Sequence, residues 1–348
     1  MSQEQSDGLT YEKSGVVGLG KDKNASHFLK VRETLALAKG RIIETPFCNL
    51  YQTNGSTFQS KGCDGVGTKV LLAELAGKHD TIGIDAIATV ANDCIRSGAT
   101  PIALTNTIDA PNPTPELIGE IIKGIAEGAR QANCPVVGGE TAGLPDLFSA
   151  GYIVNCDCVG EVQEEKIIRA SNLQAGDAII GLRSSGAHSN GISLLRRALF
   201  AKWGGKYGAW DKVDGLEKEL VLEALTPTKI YVKEFLEFAQ KMAPKAALHV
   251  TGDAYNKFSV LSQGGRLGFE FDNFSPQPIF EVIQEAGKIS DDEMFKRFNM
   301  GWGFAVVVQK EQVEDALHLL GKDAQKIGLV NASGRITVKR KGKANILS

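Results

Sequence analysis

No Cys-x-x-Cys pair occurs in the sequence, and its six cysteines, at 48, 63, 94, 134, 156 and 158, form no Cys/His set with zinc spacing. That argues against a zinc module or a redox centre. The cysteines read instead as buried free thiols in a reducing cytoplasm. No run of about 18 apolar residues is present, so no membrane span is expected. The stretch 1–7 is polar and lacks the apolar core of a secretion signal. An excess of one charge is missing too: 39 Lys and Arg face 41 Asp and Glu, a formal net charge of −2. The balance argues against a surface that coats nucleic acid or an acidic membrane. Gly-x-x-x-x-Gly-Lys-[Ser/Thr] is absent, and Gly18-Leu19-Gly20 lacks the third glycine of a dinucleotide fingerprint. A P-loop kinase and a Rossmann dehydrogenase are both disfavoured.

Glycine is what the chain has in plenty: 39 of 348 residues, above the usual ~7%. The glycines cluster after apolar runs, where a loop can approach a ligand closely. At ~150 residues per domain the length suggests two domains, and the charged, loop-like texture of 163–176 sets the boundary between 1–170 and 171–348. Helix spacing runs from Ile84 through Ile87, Ala88, Ala91 and Ile95, and Thr114-Pro115 is an N-cap and first-turn pair for a second helix. A further helix is expected over 24–40. Strands are expected at 58–63, 101–108, 134–137 and 152–162, then at 178–184, 248–250, 267–271, 304–308 and within 326–339. The basic stretch 339–343 reads as a solvated terminus.

Three turns invite an anion: 64–69, 138–141 and 184–191. Carboxylates stand beside or near them, namely Asp64, Asp93, Asp109 and Glu140, and hard oxygen ligands suit Mg²⁺ with nucleotide phosphates. Each is equally a turn or cap residue on local chemistry alone, and Asp93 equally a polar position on an amphipathic helix. Lys69 could neutralise phosphate or be a solvated helix lysine. His188, in a Gly/Ser/Asn loop, could move a proton or simply order the loop. The other histidines, His249 among them, read as structural.

Taken in order, these motifs resemble the aminoimidazole ribonucleotide synthetase family, the phosphoribosylformylglycinamidine cyclo-ligases. The stretches are Asp64-Gly-Val-Gly-Thr-Lys69, 80–93, Gly138-Gly-Glu-Thr-Ala142, Ser184-Ser-Gly-Ala-His-Ser-Asn-Gly191, Pro227-Thr-Lys-Ile-Tyr-Val-Lys233 and Phe298-Asn-Met-Gly-Trp-Gly303. The resemblance implies an α/β (α+β) protein of two domains. A four-stranded N-terminal sheet with helices would pair with its twin in a homodimer barrel, and a C-terminal α+β sandwich domain would follow. It implies ATP and Mg²⁺ in a cleft between the domains, a cytoplasmic enzyme, and no nucleic-acid or membrane partner. The reaction implied is ATP-dependent closure of formylglycinamidine ribonucleotide to aminoimidazole ribonucleotide through an iminophosphate.

By motif, Asp64, Asp93, Asp109 and Glu140 would hold the metal, and His188, Lys69 and Asn190 would be catalytic. Gly65, Gly67, Thr68, Asn92, Gly138, Gly139, Thr141, Ser189, Gly191, Thr251 and Gly252 would bind nucleotide or substrate. The chain departs from the family pattern at 41–55, at Ala187, and at His249-Val-Thr-Gly-Asp-Ala254, where His-x-Thr-Gly-Gly-Gly is usual. Asp253 keeps one alternative open, a nucleotide-binding subunit or regulator without turnover; a sister amide-activating or phosphotransfer enzyme is a further alternative.

Overall fold

A computed structural model describes residues 8–16 and 29–347. Two mixed sheets organise it. Most of the helix expected over 24–40 lies outside the described residues; a 3₁₀ segment, Glu33–Leu37, is what the described part contains alongside a helical turn at 29–32.

The first sheet is built from β1 (Ile42–Glu44), β2 (Asn49–Asn54), β3 (Thr57–Gly65), β4 (Thr100–Ala110), β5 (Val136–Gly143) and β6 (Ile153–Gln163). Its order is β1-β2-β3-β6-β4-β5, with only β4 and β5 parallel. Six strands therefore stand where four were expected. The two extra strands come from the segment that departs from the family pattern. Residues 42–44 pair with 49–51, and a turn at Gly55 (φ 53°) folds β2 back on β3. The 138–141 stretch is also not a turn: it continues β5 along the exposed edge of the sheet.

One face of this sheet carries α1 (Val70–Ala76), α2 (Ile82–Ile95) and α3 (Pro115–Ala132). Alternation along β6 buries Val154, Cys156, Cys158 and Val162 under them. Thr114 caps α3 as its sequence suggests, its side chain accepting from the Leu117 N–H. The two long helices cross at Gly83 and Gly124. A Cβ on Gly83 would lie 2.1 Å from the Ile125 nitrogen, and one on Gly124 would lie 2.3 Å from the Asp80 carbonyl oxygen. Of the six cysteines, Cys94, Cys134, Cys156 and Cys158 are buried; Cys48 is half-buried and Cys63 exposed, and all are free.

The second sheet contains β7 (Ala178–Arg183), β8 (Ala246–His249), β9 (Gly268–Phe271), β10 (Trp302–Val308), β11 (Ala324–Asn331), β12 (Ile336–Arg340) and β13 (Lys343–Ile346). Its order is β13-β12-β9-β11-β7-β10-β8. Helices α4 (Ile192–Leu199), α5 (Leu220–Ala224), α6 (Val232–Lys241), α7 (Pro278–Gly287), α8 (Asp291–Arg297) and α9 (Val313–Leu320) complete this half. All seven residues of β10 are buried, as its apolar run demands. The basic stretch near the end is a correction. Lys339 and Arg340 finish β12, Lys343 opens β13, and the buried Arg340 faces Glu281 and Asp291. Pairing with acidic helix ends turns a presumed tail into a sheet edge.

Candidate functional site

The two halves are bolted together by residues that the sequence points toward a ligand. Lys69 is fully buried, and its ammonium lies 2.8 Å and 3.0 Å from the two Asp85 oxygens and donates to the Thr226 carbonyl at 2.8 Å. Asp85 also accepts from the Thr228 N–H at 2.8 Å and its hydroxyl at 2.6 Å. Asn92, equally buried, donates to the Lys229 carbonyl and accepts from the Tyr231 N–H, both at 2.9 Å. Lys69 and Asn92 therefore clamp the 226–231 loop of the second half to α2. Neither stands open to a phosphate, which corrects the reading of both as ligand-binding groups.

His188 receives a similar correction. It is buried under Tyr231 and Gly303, its Nε2 accepts from the Ser185 N–H at 3.2 Å, and burial, with His249 and Lys69 nearby, holds its pKa well below the ordinary value. The imidazole is neutral and shapes the 184–191 loop from inside, at a left-handed φ of 60°. Ser189 continues that loop and lies 3.3 Å from the Thr228 hydroxyl.

What remains open lies along the mouth of this junction. Asp64 is the penultimate residue of β3, paired with Cys156 of β6, and borders two cavities. One, of about 580 Å³, is lined by Gly65, Gly67 and Thr68 on one side and by Phe148, Tyr152 and Asn155 on the other. The second, of about 210 Å³, includes Asp93 and Arg96. Gly67 holds a left-handed φ of 68°, so the turn needs glycine there. Two of the turn's amides are already engaged: Gly65 N–H donates to the Asp64 carboxylate at 2.7 Å and Val66 N–H to the Val154 carbonyl at 3.1 Å. Thr68 reaches across to the Ser193 hydroxyl at 3.1 Å.

Asp64 and Asp93 act on each other electrically. Burial and the Asp93 charge raise the Asp64 pKa, against a bond from the Gly65 N–H. Asp93 is half-buried; desolvation alone would raise its pKa, yet Arg96 at 2.7 Å and His249 at 2.9 Å bring it down to about 2. His249, read from sequence as merely structural, is thus the partner that orients Asp93. Two carboxylates beside an open glycine turn fit a Mg²⁺ carried in by phosphates, which takes few protein ligands. No group of three or more His, Cys, Asp or Glu that could hold a metal ion occurs among the described residues.

Asp109 and Glu140 do not join the pair. Asp64 lies in register with Cys156, whose side chain faces the helices. Asp109 pairs with the exposed Ile153, and Glu140 with Thr107, on the other face of the sheet. Strand alternation alone separates them. Gly138, Gly139 and Thr141 belong to the same edge strand and line neither cavity at Asp64.

A third cavity, of about 340 Å³, is lined by Tyr11, Asn190, Gly191, Gly252, Asp253 and Arg297. Arg297 lies under the Tyr11 ring and 3.7 Å from Asp253. Asp253 (φ 64°) and Ala254 (φ 41°) are left-handed at positions where the family pattern has glycine. Sequence reasoning missed Tyr11, Arg96, Lys257 and Arg297, since nothing local marks them: each acquires meaning from a partner distant in the chain or from the cavity it borders.

Two α+β halves, each on its own mixed sheet, with their open polar groups at the junction, define a two-domain α/β protein whose candidate site is shared between domains. The chain belongs to the AIR synthase-related family. The model for the N-terminal domain of AIR synthase related protein matches residues 48–162, and that for the C-terminal domain matches 174–341. Similar proteins include the phosphoribosylformylglycinamidine cyclo-ligase of Alkaliphilus metalliredigens, 37% identical over 345 residues, which span 96% of this chain and 99% of that one. The enzyme of that name from Brevibacillus brevis is 44% identical over 283 residues, 80% of this chain and 81% of the relative. Among solved structures, the HypE–HypF complex aligns with a TM-score of 0.62 at 19% identity, over 91% of this chain and 98% of that one. T. maritima PurL complexed with ATP aligns at 0.59 and 15% identity, over 86% of this chain and 44% of that one. At such identities these two structures speak for the fold.

Proposed function

We propose that the chain is an ATP-dependent cyclo-ligase that closes formylglycinamidine ribonucleotide to aminoimidazole ribonucleotide in purine biosynthesis. The observation that carries this reading is the meeting of Asp64 and Asp93, from different elements, at one cavity, with Asp64 also bordering the open glycine turn, where Thr68 and Asp93 reach Ser193 and His249 of the second half. The relatives named for this reaction, one of them similar over nearly the whole chain, supply the substrate.

The chemical problem is an amide oxygen, a poor leaving group. Transfer of the terminal phosphoryl group of ATP to that oxygen gives an iminophosphate and ADP. The substrate's own amine then attacks the activated carbon, the carbon–oxygen bond breaks, phosphate departs and the amine's proton is released. Such chemistry needs positioning and charge neutralisation more than a strong acid or base. Gly67 and Thr68 would face the phosphates, and Asp64 and Asp93 would hold Mg²⁺, which supplies countercharge to them when bound. Asn190, Gly191 and Gly252, at the 340 Å³ cavity, would take the ribonucleotide.

The same reading places the enzyme in the cytoplasm as a homodimer. No helix of the described residues is long and apolar enough to cross a membrane. Exposed Tyr51, Ile102, Val137 and Ile153 come from four strands of the first sheet, and an apolar surface spread over a sheet suits a second copy. Purified protein given ATP, Mg²⁺ and formylglycinamidine ribonucleotide should release ADP and phosphate and form the aminoimidazole product. Hydrolysis that ignores the ribonucleotide, or no product at all, would count against the assignment.

A further inference from the structure

Once Lys69 is committed to Asp85, the site needs another cation for the negative charge of a triphosphate. We propose that Lys257 is that cation, contacting the terminal phosphate of the bound nucleotide; the inference rests on the ATP-dependent reading above. Lys257 lies in the short 3₁₀ segment Ala254–Leu261 that follows β8. Its ammonium donates to the His249 carbonyl at 3.4 Å and to the Thr251 hydroxyl. That fixes it at the Thr251-Gly252 turn, beside the His249 ring that bonds Asp93 at 2.9 Å. Asp93, Asp253 and Asp64, from three different elements, all act on it electrically.

The other cations nearby are already matched. Arg96 is bonded to Asp93 at 2.7 Å, Lys69 to Asp85 at 2.8 Å, and Arg297 to Glu293 at 3.0 Å. The two bonds that Lys257 donates go to uncharged oxygens. An ammonium has three donors, so a phosphate oxygen can be its charged partner. Burial, partly offset by Asp93, lowers its pKa to about 8, so it still carries its charge at neutral pH. A partly buried lysine in this setting is costly to retain for packing alone. Asp64 and Asp93 would face the metal while Lys257 meets the phosphate from the side of the second half.

The test compares wild type with Lys257→Met, Lys257→Gln and Lys257→Arg, by ATP kinetics and by the rise in thermal midpoint that Mg–ATP and Mg–ADP each produce. Loss of a charged hydrogen bond to the terminal phosphate should raise the KM for ATP on the order of tenfold or more in the Met and Gln variants. Their preference for ATP over ADP should shrink, and Arg should restore most of it. A purely structural lysine would weaken both nucleotides alike. If a variant that folds with a normal midpoint keeps the wild-type KM and ATP preference within about twofold, the proposal is overturned and the cyclo-ligase reading stands. If wild type itself shows neither Mg–ATP stabilisation nor turnover, both fall together.

Discussion

Asp93 shows how little of a residue's role is local. Its sequence neighbourhood describes a polar position on a helix. Its function as a charged anchor comes from Arg96, three residues on, and from His249, which arrives from β8. These partners bring its pKa from 3.8 to about 2. A carboxyl whose folded pKa lies below its unfolded one contributes stability that is complete above about pH 4 and is lost as pH falls toward about 2. The contribution amounts to about 2 kcal/mol. Urea unfolding of wild type and Asp93→Asn between pH 5 and pH 2 checks this: wild type should lose that much more than the variant, and parallel curves would contradict it. Asp64→Asn should abolish Mg²⁺-dependent turnover while leaving the unfolding midpoint within about 1 kcal/mol of wild type, because its side chain sits at an open mouth. Near-normal rates would refute the metal assignment. Asp64 and the 65–68 turn were legible because glycine and carboxylate adjoin in sequence. Lys69 was misread for the opposite reason: Asp85 is 16 residues away and Thr226 is 157 away, so its burial could not be seen.

At the level of elements, periodicity served well where one face of a segment is buried. The apolar spacing from Ile84 and the Thr114 cap both correspond to helices, α2 and α3, and β6 shows the alternation of a half-covered strand. Strands β1 and β2, and helices α7 and α8, escaped notice, because short segments carry few periods and gain their stability from neighbours. The separation of Asp109 and Glu140 from Asp64 was also invisible. It depends on strand register, which a single residue's slip would reverse. The crossing of α2 and α3 offers a sharper test of element packing. A methyl at Gly83 would collide with the backbone of α3 at 2.1 Å. Gly83→Ala should therefore cost about 1–3 kcal/mol or more by chemical denaturation, although alanine is the better helix former. A stabilised variant would show that the helices do not meet there.

For the whole molecule, the clamp of Lys69, Asp85 and Asn92 decides whether the two halves present one site. Lys69→Met leaves a buried carboxylate unpaired and should cost about 3–5 kcal/mol, and adding Asp85→Leu should recover a large part of that. Unfolding of the single and double variants measures it; a double variant no more stable than the single would deny the ion pair its place in the junction. Lysine placed at Val137, in the exposed apolar surface of the first sheet, should shift sedimentation toward monomer if that surface joins two copies. The assignment of ATP and Mg²⁺ requires one nucleotide to bridge the Gly65–Thr68 turn and the Asp64–Asp93 pair. A crystal structure with Mg²⁺ and a non-hydrolysable ATP analogue tests it most directly. The triphosphate should run along that turn with the metal between Asp64 and Asp93. A metal held by Asp109 and Glu140 on the opposite face, or a nucleotide elsewhere, would contradict the account.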